Sequence, residues 1–258
     1  MSDEKEEIIA FICEGEVTEP RIIENLKRAY FENTKKIIKI LSFQTDIYQL
    51  WEKIKEDENL DAIEIIRERN EDSKEKLKPY QRTDIPQVYL FFDYDGHATK
   101  ASDEKIAEML EYFDNETENG KIYISYPMVE AVRHIQKNVS FELAVVDSKI
   151  KGKEYKALSS QICYFNNISK LNRNDWSFIF GENIKKGNLI VNAQYSFPDT
   201  YAEFRINLIQ KNLFQNQLQK YIQPRSEVAV LSGFPFFIVD YFGETLFNGI
   251  KNCSESVH

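Results

Sequence analysis

The chain has 258 residues, 42% of them hydrophobic and 29% charged, with a formal net charge of −9. That length can bury a substantial core as one large domain or as one domain with an appendage. The acidic balance argues against a protein that coats nucleic acid without specificity, which would be basic. No apolar run approaches about 18 residues, so no membrane-spanning helix is expected. The acidic start, Met1 to Glu7, lacks the apolar core of a signal peptide. Cys13, Cys163 and Cys253 are odd in number and far apart, which fits a reducing compartment and neither a disulfide framework nor a zinc site. The expected location is the cytoplasm, with no membrane partner.

Taken in order, Glu7 to Cys13 reads as a buried strand ending in Glu14-Gly15-Glu16-Val17-Thr18-Glu19-Pro20. Gly15 permits a sharp turn, Thr18 is a good N-cap, and Pro20 is tolerated in a first helical turn. Ile22, Ile23, Leu26, Ala29 and Tyr30 then recur at helical spacing. Lys35 to Phe43 predicts the next strand, and Ile47, Leu50, Trp51 and Ile54 the next helix. Glu52 to Lys78 carries ten acidic and seven basic residues over a sparse apolar stripe. It reads as a charged helical insertion: an outer helix over one sheet face, or a long arm offering a partner surface.

Val88 to Phe92 is an uninterrupted apolar run between Pro86 and Gly96, the pattern of a fully buried parallel strand. It runs into Asp93-Tyr94-Asp95. Ligands of open α/β sheets bind outside the carboxyl ends of strands. On a regular strand both aspartates would share a face, and two like charges so close call for a divalent cation; a plain strand-ending turn is the alternative. Ser102 can cap a helix with Ile106, Met109, Leu110 and Phe113 on one face; Asn119-Gly120 marks a turn, and Lys121 to Ser125 a short strand. Tyr126 to Ile135 predicts a helix with Pro127 near its start and Glu130 in an early turn, where a carboxylate also complements the helix dipole.

The first 137 residues thus alternate strands and helices, which implies a mainly parallel sheet with helices on both faces. Residues 138–258 read as a mixed, mainly helical region packing on that core. Residues 145–194 carry eight Lys/Arg against four Asp/Glu, a local balance of +4. Lys149, Lys151 and Lys153, with Lys100 and His97 nearer the aspartate pair, are candidate contacts for a nucleic-acid phosphate, or simply solvated side chains. Trp176 to Phe180 and Leu189 to Val191 are ambiguous. Thr200 to Ile222 reads as one helix, and Val228 to Phe242 as a buried helix interrupted by Gly233 and Pro235.

Three stretches carry a resemblance: Ile12-Cys13-Glu14-Gly15 with Thr18-Glu19, Phe91-Phe92-Asp93-Tyr94-Asp95, and Ser125-Tyr126-Pro127-Met128-Val129-Glu130. Together they resemble the Toprim domain, and within it the RloB-like group, over roughly residues 7–137. Tyr126 stands where that group has Asn. The resemblance implies a Mg²⁺- or Mn²⁺-dependent nuclease cutting DNA or RNA, tRNA among the substrates. Glu14, Asp93, Asp95 and Glu130 would be its metal ligands and catalytic residues. It also implies an effector role in bacterial anti-phage defence (abortive infection) under an ATPase partner, and leaves a homo-oligomer open. Two rivals remain. Asp93-Tyr94-Asp95-Gly96 also matches the start of a haloacid-dehalogenase-type phosphatase motif, with Asp93 as nucleophile. A non-catalytic regulatory subunit would instead use the charged helix and the apolar C-terminal segments for docking.

Overall fold

In a computed structural model, the described residues are 7–255, except 33, 58–59, 137–138, 163 and 166. The acidic N-terminal residues, Cys163 and the expected boundary at 137/138 lie outside them. The runs Glu7–Cys13 (β1), Lys36–Ser42 (β2), Gln87–Asp93 (β3) and Gly120–Ser125 (β5) become strands, joined by the two-residue Asp114–Asn115 (β4). Their order is β2-β1-β3-β5-β4. β1 pairs in parallel with β2 and β3, with Cys13 level with Ser42 on one side and Phe91 on the other; β4 and β5 are antiparallel. The chain is thus α/β, with a mainly parallel five-stranded sheet flanked by helices. β1 and the interior of β3 are almost wholly buried, as expected of parallel strands covered on both faces.

The chain divides into two compact units. The first runs up to Phe92 and includes Glu108–Ile122; the second comprises Asp93–Ala107 and the described residues from Tyr123 onward.

In the first unit, the ring of Phe11 packs edge-on against Phe31, Tyr89 and Phe91 at centroid distances of 5.6–6.2 Å. Helix α1 (Thr18–Leu26) buries Ile22, Ile23 and Leu26, and α2 (Ile47–Glu56) starts on Asp46, whose carboxylate accepts from the Gln49 N–H at 3.1 Å. The charged insertion is neither one long helix nor an arm. It breaks into α2, α3 (Ala62–Arg69) and α4 (Glu71–Leu77), because Asp61 and Asn70 cap new helix starts. Its side-chain donors serve the open edge of β2: Asn70 Nδ2 donates to Ser42 O at 3.0 Å, Lys76 Nζ to Ile40 O at 3.1 Å and Arg69 Nε to Phe43 O at 3.0 Å. An edge strand covered in this way is closed to further pairing.

Helix α5 (Asp103–Tyr112) buries its expected face, Ile106, Met109 and Leu110. In the second unit a 3₁₀ turn, Val129–Arg133, stands where the sequence predicts a full helix from Tyr126; the first candidate turn is lost because Tyr126 and Pro127 are engaged by neighbouring backbone. A second 3₁₀ turn, Phe141–Leu143, leads into β6 (Val145–Asp147), which pairs antiparallel with β7 (Glu227–Ala229). Between them come α6 (Gly152–Ile162) and α7 (Arg173–Asn192), the latter unifying the two ambiguous apolar stretches into one 20-residue helix started by an Asn172/Asp175 capping box. Residues 200–222 form α8 (Tyr201–Asn207), α9 (Gln210–Gln217) and a π turn rather than one helix, followed by α10 (Gln223–Arg225). Asn212 Nδ2 closes the break between α8 and α9 by donating to the carbonyls of Ile206 and Asn207. The last apolar stretch splits into β7 and α11 (Phe234–Glu255), itself kinked at Gly243. Among the described residues, no helix is long and apolar enough to cross a membrane.

Gly120 opens β5 at φ +108°, and a Cβ there would lie 2.6 Å from Leu90 Cδ1. Gly120→Ala is therefore expected to cost about 1–3 kcal/mol from backbone strain alone, read as a lowered denaturation midpoint in urea.

Candidate functional site

Glu14 leaves β1 under tight backbone control. Its N–H donates to Phe91 O at 3.1 Å, and its carbonyl accepts from the Gln44 N–H at 2.8 Å. The helix beyond starts at Thr18 itself, with Val17 in the cap position and no side-chain cap. The turn is organised instead by Glu19, 5% exposed, whose carboxylate accepts from the Gly15 N–H at 2.9 Å. A Cβ on Gly15 would meet that carboxylate at 2.9 Å, so the glycine is there for close approach. Glu19, read from the sequence as one more turn residue, is thus a buried structural acid. Burial, and then the Glu19 charge, push the Cys13 thiol well up, which makes it an unreactive core residue.

In the second unit, the exit of β3 departs from the regular strand expected for Asp93 and Asp95. The Tyr94 N–H donates to Ser125 O at 3.0 Å and the Asp95 N–H to Pro127 O at 3.2 Å, but Asp95 has φ +49°. The left-handed residue ends the two-residue alternation, so the two aspartates do not share a strand face; aspartate tolerates this conformation better than most residues. Tyr94 is buried, donates its hydroxyl to Asp103 Oδ1 at 2.9 Å and stacks on Tyr126 at 5.6 Å. Gly96 follows because Ser148 O would sit 2.5 Å from any Cβ there. His97 Nδ1 lies 3.2 Å from Asp95 Oδ1.

Glu130 sits on the 3₁₀ turn, 2% exposed, with Oε1 3.8 Å from Lys156 Nζ on α6. Tyr155, the residue before that lysine, is fully buried, and its hydroxyl lies 2.9 Å from His134 Nδ1. The Tyr155 phenol is pushed well up by burial, then by the charges of Glu130 and Asp93, with Arg133 opposing. Tyr155 therefore stays a neutral phenol. His134 is held down to about 4 by burial and by the Lys186 charge, so it is a neutral imidazole at pH 7. It follows the 3₁₀ turn instead of standing on the predicted amphipathic helix.

Lys100, Lys149, Lys151 and Lys153 are exposed. The Lys149 N–H donates to Asp147 Oδ1 at 2.7 Å, which shapes the turn into α6. Among the described residues, no group of three or more His, Cys, Asp or Glu side chains forms a ready-made metal cage. The donors offered by Asp93, Asp95 and Glu130 are all hard oxygens. That chemistry suits Mg²⁺, which takes one or two carboxylates and keeps several waters. Sequence reasoning missed Tyr155 and read His134 as a structural residue of the expected helix; no local pattern marks a tyrosine and a histidine 21 residues apart as partners.

Because His134 takes up its proton less readily folded than unfolded, its contribution to stability is present above its ordinary value of 6.5 and is lost as pH falls toward 4. Wild-type stability measured by urea denaturation is expected to fall over that range by up to about 3 kcal/mol from this group, and His134→Gln should flatten that part of the profile.

Compared with protein-family models, curated proteins and solved structures, the chain matches none.

Proposed function

We propose that this chain is a Mg²⁺- or Mn²⁺-dependent nuclease of the Toprim type. The observation that carries the reading is that β1 and β3 lead directly into acidic motifs, and β5, their neighbour in the sheet order, reaches Glu130 five residues beyond its end. This is the place where α/β sheets of this kind bind ligands.

In this reading Asp93, Asp95 and Glu130 hold the cation, and Lys149, Lys151 and Lys153 with Lys100 grip the phosphate backbone. Lys156, now paired with Glu130, balances charge that the cation would otherwise neutralise, and His97 Nδ1 lies beside Asp95 Oδ1. Glu14 enters through its motif alone, as ligand or general acid/base. A bound divalent cation would polarise the phosphoryl oxygen and lower the pKa of a water. The acidic net charge of the chain then leaves recognition to the local basic segment. Action as a defence effector under an ATPase partner rests on the family resemblance.

The test is incubation of the purified protein with supercoiled plasmid and with tRNA, in Mn²⁺ and in EDTA. Cleavage is expected in Mn²⁺ alone, falling at least about 100-fold in Asp93→Ala and Glu130→Gln. Metal-independent cleavage that survives both substitutions overturns the reading. Recovery of a phosphorylated Asp93 from incubation with a phosphomonoester would place the chain with the phosphatases instead.

A further inference from the structure

Four side-chain contacts join two short elements of the second unit. From α6, Tyr155 meets His134, Lys156 meets Glu130, and Ser159 and Ser160 both accept from Arg133 Nη2, at 3.5 and 3.1 Å. Their partners all lie on, or directly after, the 3₁₀ turn that carries Glu130. A five-residue 3₁₀ turn has poor hydrogen-bond geometry and little stability of its own. Backbone bonds close its two ends: the Ala131 N–H donates to Met128 O, and the His134 N–H to Ala131 O. A buried carboxylate on such a turn depends on outside contacts for a fixed position.

We propose that α6 is the positioning element of the acidic site: Tyr155, paired with His134 behind the turn, and Lys156, paired with Glu130 at its front, hold the Glu130 carboxylate where a divalent cation would meet it. The inference rests on the metal-dependent reading above for its consequence, and on the contacts alone for the positioning itself. The two rings lie nearly parallel, 16° apart with centroids at 5.5 Å. Both are neutral, so one donates a single hydrogen bond to the other without a buried charge. Lys156 keeps an exposed head, 57% accessible, over a Glu130 side chain that is 2% accessible. The Lys156 ammonium is therefore the solvent-facing partner of this buried carboxylate. Tyr155, Lys156 and His134 are positioning residues in this account. Outer partners of this kind alter metal affinity by about 10- to 100-fold when removed.

The experiment compares wild type, Tyr155→Phe and Lys156→Met. Hydrogen exchange mapped by mass spectrometry should show the 129–134 amides exchanging about tenfold faster in Tyr155→Phe, and measurably faster in Lys156→Met, with β1 and β3 unchanged. Mn²⁺ titration followed by electron paramagnetic resonance should show affinity about tenfold weaker in Tyr155→Phe. Lys156→Met changes an exposed head and keeps the comparison available if Tyr155→Phe fails to fold. Wild-type exchange at 129–134 in the folded variants overturns the positioning role, and so does an unchanged Mn²⁺ affinity in folded Tyr155→Phe. If the wild type binds no Mn²⁺, the nuclease reading falls, and the exchange comparison still decides whether α6 holds the turn.

Discussion

The exit of the chain from β3 is the constraint on which the acidic segment depends. Two backbone hydrogen bonds, from Tyr94 to Ser125 and from Asp95 to Pro127, keep this segment alongside the chain leaving β5. The left-handed turn at Asp95 then redirects it. Buried Tyr94, tied to Asp103, anchors the turn from one side, and Gly96 lets Ser148 pass on the other. The segment thus ends a core strand at Asp93 and turns the chain at Asp95.

Several cations are given to main-chain acceptors. Lys186, fully buried, donates to the carbonyls of Glu142 and Ala144, and Lys220 to those of Ile190 and Val191 at the end of α7. Burial holds Lys186 down to about 8. Lys76 and Arg69 do the same along β2. Main-chain carbonyls with no other partner are costly to bury, and a long flexible cation reaches them where secondary structure does not. Gln217 does comparable work on β7, exchanging two hydrogen bonds with Ala229 at 2.7 and 2.9 Å. The charge-rich stretch in the first unit therefore serves as edge covering, and its apolar stripe is fully buried at Ile63, Ile66 and Leu77 and half-buried at Leu60.

Legibility varied with the range of the forces involved. The strands β1, β2, β3 and β5 and the faces of α1, α2 and α5 follow from local periodicity and were readable. Glu14, Asp93, Asp95 and Glu130 were singled out as candidates because each follows, or closely follows, an apolar run. The helix expected from Tyr126 fails because Tyr126 pairs with Leu231 in both directions, at 2.7 and 2.9 Å, a bond to a residue more than a hundred positions away. Residues 200–222 break for a similar reason: Gln210 is drawn to the Ile124 N–H at 3.0 Å.

The sequence by itself determined the α/β class, the parallel character of the sheet's centre and the positions of acidic residues at strand exits. Those features depend on hydrophobic spacing and turn chemistry within a few residues. The tertiary structure alone decided that Asp95 turns left-handed, that Glu130 stands on a short 3₁₀ turn, and that Tyr155 and Lys156 meet that turn from α6. Each of these depends on hydrogen bonds and burial between segments distant in the chain, and no local pattern encodes which distant partner a polar group will find.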